Sequence, residues 1–151
     1  MLFRSRPSPL RDLAGQPGVL GVVTDAGTPV SAYEEMLEGA TGRVLMVLDD
    51  AEGLRDCGGS DLLLDVVRGR REEIFLLAGG HSDSVTSGIS GWQVELRKTR
   101  AGVLLSPQGL SDGDLVGVRL PRSIIGNPVR PGTGWLHAGD GELVQVATLV
   151  E

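Results

Sequence analysis

Residues 43–52 read RVLMVLDDAE. An apolar run, Val44 to Leu48, ends in Asp49 and Asp50, with Glu52 close behind. A buried parallel strand that delivers carboxylates at its carboxyl end is how nucleotide-hydrolysing domains set acid beside a metal and a water. In that reading Asp49 holds Mg²⁺, through water, and Asp50 polarises the attacking water. Most active sites of this kind carry Glu at the second position; Asp is a methylene shorter and sits back from its water. A strand ending in Asp-Asp also suits entry into a turn or the cap of a following helix. Spacing alone leaves both readings open.

Nucleotide phosphates need backbone N–H groups and a cation, and the chain has no G-x-x-x-x-G-K-[ST] stretch. Its only lysine, Lys98, follows Leu96 and Arg97 on an expected helix, not a Gly-rich loop. Gly79-Gly80 and Gly139-x-Gly141 lack the Lys and helix that should follow. His81-Ser82-Asp83-Ser84 has the residue types of a hydrolytic triad, but groups this close in one loop rarely reach triad geometry. No G-x-S-x-G elbow accompanies them. His81 and Ser82 read instead as polar sensors of a bound cofactor at a strand tip beside the acids, with a plain solvated loop as the alternative. Arg97, Lys98 and Arg100 fit a nucleic-acid contact, an arginine finger, or, by default, a solvated helix end complementing its dipole. Arg119 and Arg122 read as stacking or ion pairing within the domain.

The elements that must position these groups come from a chain of 151 residues, 40% apolar, with net charge −6. Those values fit one globular domain, residues 1–151, and not a disordered or membrane chain. Aromatics are confined to Phe3, Tyr33, Phe75, Trp92 and Trp135, so the core falls to Val, Leu, Ile and Ala. The acidic balance argues against a free-standing nucleic-acid binder. A single cysteine, Cys57, allows no internal disulfide and suits a reducing cytoplasm. No apolar run approaches the ~20 residues of a membrane span, and the N-terminus lacks a signal-peptide core. Leu2-Phe3-Arg4-Ser5 is also what a common sequencing adapter translates to. Residues 1–6 therefore read equally as native chain or as a non-native scar on a chain once longer upstream.

Ser8 with Pro9 behind it opens a short helix. Val19 to Val23 reads as a strand and Ser31-x-x-Glu34 as a capping box for a helix carrying Tyr33, Met36 and Leu37. Val44 to Leu48 does not alternate and reads as buried on both faces. Ser60 caps the next helix, with Leu63, Leu64, Val66 and Val67 inward and Arg68, Arg70 and Arg71 at its end. Ile74 to Ala78 reads as a third buried strand, Gly79 to Ser84 as its exit loop, Trp92 to Arg100 as a helix and Val103 to Leu105 as a short strand. Trp135 to Ala138 and Leu143 to Val150, joined through Asp140-Gly141, form a hairpin. Alternating strands and helices predict βαβ units and a mostly parallel sheet with helices on both faces. Sites in such sheets lie beyond the carboxyl ends of the strands, which puts Asp49-Asp50 and the Gly79–Ser84 loop on one rim.

The order of pieces resembles a known family. SPLRDLAG, RVLMVLDDAE, IFLLAGG, GWQVELRKTRAGVLLSPQ, DGDLVGVRLPRS and PGTGWLHAGDGELVQV are similar to the later half of an FtsK/SpoIIIE-type ATPase domain. The similarity runs from about Ser8 to Val150 and is closest to the C-terminal degenerate ATPase-like modules of actinobacterial members, including the EccC/EssC ATPases of type VII secretion. There an Asp-Asp pair replaces Asp-Glu, as here. DGDLVGVRLPRS and the closing hairpin segment are the more specific elements.

The resemblance implies a partial P-loop NTPase-like α/β core closed by a C-terminal β-hairpin, with the Walker A strand and loop missing. Asp49 matches the Mg²⁺-site acid and Asp50 the catalytic acid of the Walker B strand; the loop after Ala78, with His81 and Ser82, matches the sensor position but lacks the Thr-Gln pattern of active motors. ATP and Mg²⁺ are then cofactors of a full-length parent, and this chain alone is expected to be inactive. The implied partners are upstream ATPase domains, further copies of the parent, and DNA or a secreted protein. The implied location is the cytoplasm, with the parent free or attached to the inner face of the membrane. A non-catalytic module docking a secretion substrate or sister ATPase domain is the alternative, and an unrelated flavodoxin-like ligand-binding domain a third.

Overall fold

The computed structural model describes residues 2–3, 8–128 and 130–148, for residues 2–3 the backbone only. Residues 1 and 4–6 of the N-terminal stretch read above as native or scar, and Leu149 and Val150 of the expected last strand, lie outside the described residues. The chain divides into two compact units, Met1–Glu95 and Leu96–Glu151.

The first unit is α/β. Its strands are β1 (Leu2–Phe3), β2 (Val22–Val23), β3 (Val44–Leu48) and β4 (Ile74–Ala78), and its helices are α1 (Val30–Glu38), α2 (Ser60–Val67), α3 (Ser82–Thr86) and the start of α4 (Trp92–Lys98). The strands form one parallel sheet in the order β2-β1-β3-β4, with β3 and β4 in register from Val44↔Ile74 to Leu48↔Ala78. The Ser8 cap forms as expected: Leu10 N–H donates to Ser8 Oγ at 3.2 Å, and Pro9 begins a 3-10 turn. The capping box at Ser31 does not form. Pro29 occupies the cap position, Ser31 lies inside α1, and Glu34 turns to Arg71, 2.5 Å away. Gly59, not Ser60, caps α2, and Gly59 packs close against the Tyr33 ring, 3.0 Å from where a Cβ would lie.

The expectation that β3 and β4 are buried on both faces is corrected. Val44, Met46 and Leu48 are buried, but Leu45, Phe75 and Leu77 are 52%, 49% and 57% exposed. The helical side of the sheet is covered; the side bearing Leu45, Phe75 and Leu77 is about half exposed, so among the described residues no helix covers that face, against the expectation of helices on both. Continuous apolar runs conceal this, since both sides of each strand are apolar while only one is covered. The core consists of Met46 and Leu48 with Tyr33, Leu54, Leu62, Leu63 and Val66, all nearly inaccessible.

In the second unit β5 (Ala101–Leu104), β6 (Thr133–Ala138) and β7 (Val144–Ala147) form an antiparallel sheet in that order. The expected hairpin is present as β6–β7 and pairs with β5 in an antiparallel sheet separate from the parallel one. Leu104 packs with Val116, Leu120 and Ile124, and Trp135 joins them. The chain between β5 and β6 supplies that layer through 3-10 turns at Leu110–Leu115 and Arg122–Ile124. Gly113 is obligatory there, because a Cβ would lie 2.1 Å from the Val118 carbonyl oxygen. The opposite face of this sheet, Ala101, Val103, Leu136, Ala138, Val144 and Val146, carries no polar side chain.

Candidate functional site

Parallel pairing of β3 and β4 brings their carboxyl ends together. Gly79 N–H donates to the Leu48 carbonyl (2.8 Å) and Ala51 N–H to the Gly79 carbonyl (2.9 Å), so the acids and the loop after β4 share one rim, as the strand pattern predicts. Asp49 accepts the Asp50 N–H on Oδ1 at 3.1 Å. Asp50 adopts a left-handed backbone, φ 52° and ψ 49°, a region that Asp tolerates better than most residues. That conformation breaks the strand and starts a tight 3-10 turn, Ala51–Leu54, with Gly53 N–H donating to the Asp50 carbonyl at 2.9 Å.

The turn redirects the chain so that Glu52 faces the neighbouring loop. A Cβ on Gly80 would lie 2.5 Å from Glu52 Oε2. That oxygen is shut off from solvent, and no hydrogen-bond partner meets it among the described residues. Beside it a cleft of about 560 Å³ opens at the strand ends, its charged and hydroxyl lining being Glu52, Arg55, Asp56, Asp83, Ser84 and Ser87. Asp49, Asp50, His81 and Ser82 do not line it.

The Gly79–Ser84 segment is not a loop throughout. Ser82 opens α3, His81 stands exposed at its cap position, and the His81 carbonyl accepts the N–H of Ser84 (3.1 Å) and Val85 (2.9 Å). The Ser82 carbonyl accepts the Thr86 hydroxyl at 2.8 Å.

A second set of residues fixes the rim. Gln93, 1% exposed, donates from Nε2 to the Ala51 carbonyl (2.5 Å) and accepts Arg55 Nε on Oε1 (3.2 Å). Trp92 Nε1 donates to the Leu54 carbonyl at 3.0 Å. Arg55 Nη2 donates to Ser87 Oγ (3.1 Å), and Ser87 in turn donates to the Ser84 carbonyl (2.8 Å). Sequence reasoning noted Glu52 only as a carboxylate behind the acid pair and gave Arg55 and Gln93 no role at the rim. The only signal was a Glu two places after the acids and an amide between Trp92 and Val94. Cys57 is a buried part of the cleft wall, and burial pushes its thiol above the ordinary range. Tyr33 is pushed up too, first by burial and then by the nearby thiol.

His137, on β6, is buried; its Nδ1 meets the Arg100 carbonyl, which makes it a structural clip between β5 and β6. Lys98, Arg100, Arg119 and Arg122 are exposed. Among the described residues no group of three or more His, Cys, Asp or Glu is placed to hold a metal ion. The described residues do not by themselves assemble such a set.

No protein-family model matches the sequence, and no curated protein matches it. Solved structures do. The chain superposes on EssC (ATPases 2 and 3) from Geobacillus thermodenitrificans with a TM-score of 0.64 and 13% identity, over 97% of this chain and 30% of that one. It superposes on the cytoplasmic domain of EssC with a TM-score of 0.62 and 14% identity, over 97% of this chain and 32% of that one. At such identity the likeness establishes fold: the chain has the fold of part of an EssC ATPase region and spans about a third of each neighbour's length.

Proposed function

We propose that this chain is a segment of a secretion-ATPase-like module of the FtsK/SpoIIIE type, one that acts only within a larger parent. The carrying observation is the superposition on EssC ATPase regions over nearly the whole chain. The unfinished sheet supports it: β4 ends the sheet with an apolar edge free of Pro or charge, and its outer face bears Leu45, Phe75 and Leu77. Parallel sheets are found with both faces covered, and natural sheets blunt their edges.

In this reading Asp49 supplies the carboxylate toward Mg²⁺ and Asp50 the catalytic acid, while His81 and Ser82 stand at the sensor position. The phosphate cradle and ATP binding belong to residues of the parent outside this sequence. A location on the cytoplasmic side agrees with the EssC cytoplasmic domain and with the absence, among the described residues, of any helix long and apolar enough to cross a membrane. Calorimetry of ATP binding to the full-length parent, with and without Asp49→Ala, tests the reading. Tight Mg²⁺-dependent binding weakened by about tenfold or more supports it, and binding unchanged by the substitution overturns it. The chain alone should show no turnover; activity above background that disappears in Asp50→Ala would contradict this.

A docking role for a secretion substrate or sister ATPase domain is the second reading. The all-apolar outer face of the β5–β7 sheet favours it, because exposed patches of that kind mark interaction sites. Loss of a defined partner's binding in Leu136→Asp, with β6 pairing intact by NMR, is its expected signature.

A further inference from the structure

We propose that Gln93 is a latch that fixes the acid-bearing loop, and that the loop's conformation is read out through the first turn of α4. Only Gln93 and His137 are buried polar side chains among the described residues. Gln93 reaches across to the Ala51–Leu54 turn with both halves of its amide: Nε2 holds the Ala51 carbonyl and Oε1 holds Arg55. Its neighbour Trp92 holds the Leu54 carbonyl. Both ends of the turn that follows Asp50 are therefore tied to a single helical turn, from residues remote in sequence.

The arrangement has a physical logic. Asp50 is held in a left-handed backbone whose cost the surroundings must offset. Gln93 and Trp92 add side-chain donors to the carbonyls of Ala51 and Leu54, and losing a buried partner of that kind is costly. A satisfied buried polar network selects one geometry over its competitors. Arg55 extends the network outward to Ser87 at the end of α3, so the cleft wall and the acid loop share one set of hydrogen bonds. Gln93 is therefore a positioning residue: it acts on Asp50 and Glu52 through the Ala51 carbonyl and touches neither acid in the contacts described. A shift of α4 would release the turn, and with it the direction in which Asp50 and Glu52 point.

The idea uses the acid loop named in the functional reading, but its test needs no nucleotide. Amide hydrogen exchange by NMR on the 151-residue chain compares wild type, Gln93→Met and Arg55→Met. In Gln93→Met the Ala51 and Gly53 amides should exchange about tenfold faster or more, while Met46 and Leu76 in β3 and β4 keep their protection. In Arg55→Met the Ala51 amide should stay protected, because only the outer arm is lost. Unchanged Ala51 and Gly53 protection in Gln93→Met overturns the latch. So does a uniform loss across β3 and β4 in a variant that remains folded by circular dichroism. If Gln93→Met fails to fold, Gln93→Glu, which keeps the acceptor for Arg55 and loses the donor to Ala51, decides the matter on the same two amides. Failure of ATP binding in the parent would sink the functional reading and leave these exchange results untouched.

Discussion

Asp50 carries both a charge and a backbone twist, and the two can be separated by substitution. Its positive φ favours residues that accept a left-handed backbone. Asp50→Val should cost about 1–2 kcal/mol more than Asp50→Gly, since only glycine accepts the left-handed backbone freely; urea unfolding followed by circular dichroism measures both. Equal costs for Asp50→Gly and Asp50→Val would mean that the carboxylate, not the backbone, secures the loop. Gly58 is stricter. Its N–H donates to the Ala26 carbonyl at 2.8 Å, and a Cβ would lie 2.1 Å from the Thr28 carbonyl oxygen. Gly58→Ala should therefore lower stability by at least about 2 kcal/mol, since backbone and not a flexible side chain must give way. Neither constraint is visible in the sequence. Asp49-Asp50 announces acid at a strand end, but only the twist at Asp50 reveals that Glu52 is the carboxylate turned toward Gly80.

At the level of elements, the strands were legible and their surroundings were not. VLMVL and IFLLA are strands with the expected bounds. That they show one apolar side to the open could not be read, because a run of apolar residues looks the same whether one side is packed or two. Leu77→Lys should consequently change stability by no more than about 0.5 kcal/mol, while Met46→Lys, on the packed side of the same sheet, should prevent folding. Denaturant midpoints of the two variants check this, and a large loss in Leu77→Lys would mean that the bare side is covered in solution. The helix starts were misread for local reasons. Pro29 occupies a cap position that Ser31 was expected to dictate, and His81-Ser82-Asp83-Ser84 begins a helix where composition suggested a loop.

For the molecule as a whole, the buried acids of the first unit set its response to alkali. The Cys57 thiol and the Tyr33 phenol both sit above their ordinary ranges because burial disfavours their anions. A raised folded-state value gives stability that is complete below the unfolded thiol range of about 8.5 and is lost as pH rises through the folded values. Unfolding free energy should therefore fall between about pH 8 and pH 11, and Cys57→Ala should flatten the lower part of that fall; urea titrations across the range test it.

The place of β1 has a consequence for the order in which the chain assembles. Leu2 and Phe3 pair with Val22 and Val23 on one side and with Val47 and Leu48 on the other. The middle of the first sheet thus joins segments that lie far apart in the sequence. The β6–β7 hairpin, in contrast, needs only its own neighbours. Loop closure over long separations is slow compared with hairpin formation. In a refolding experiment pulsed with deuterium, the amides of β6 and β7 should gain protection first, and those of β1 and β3 together and last.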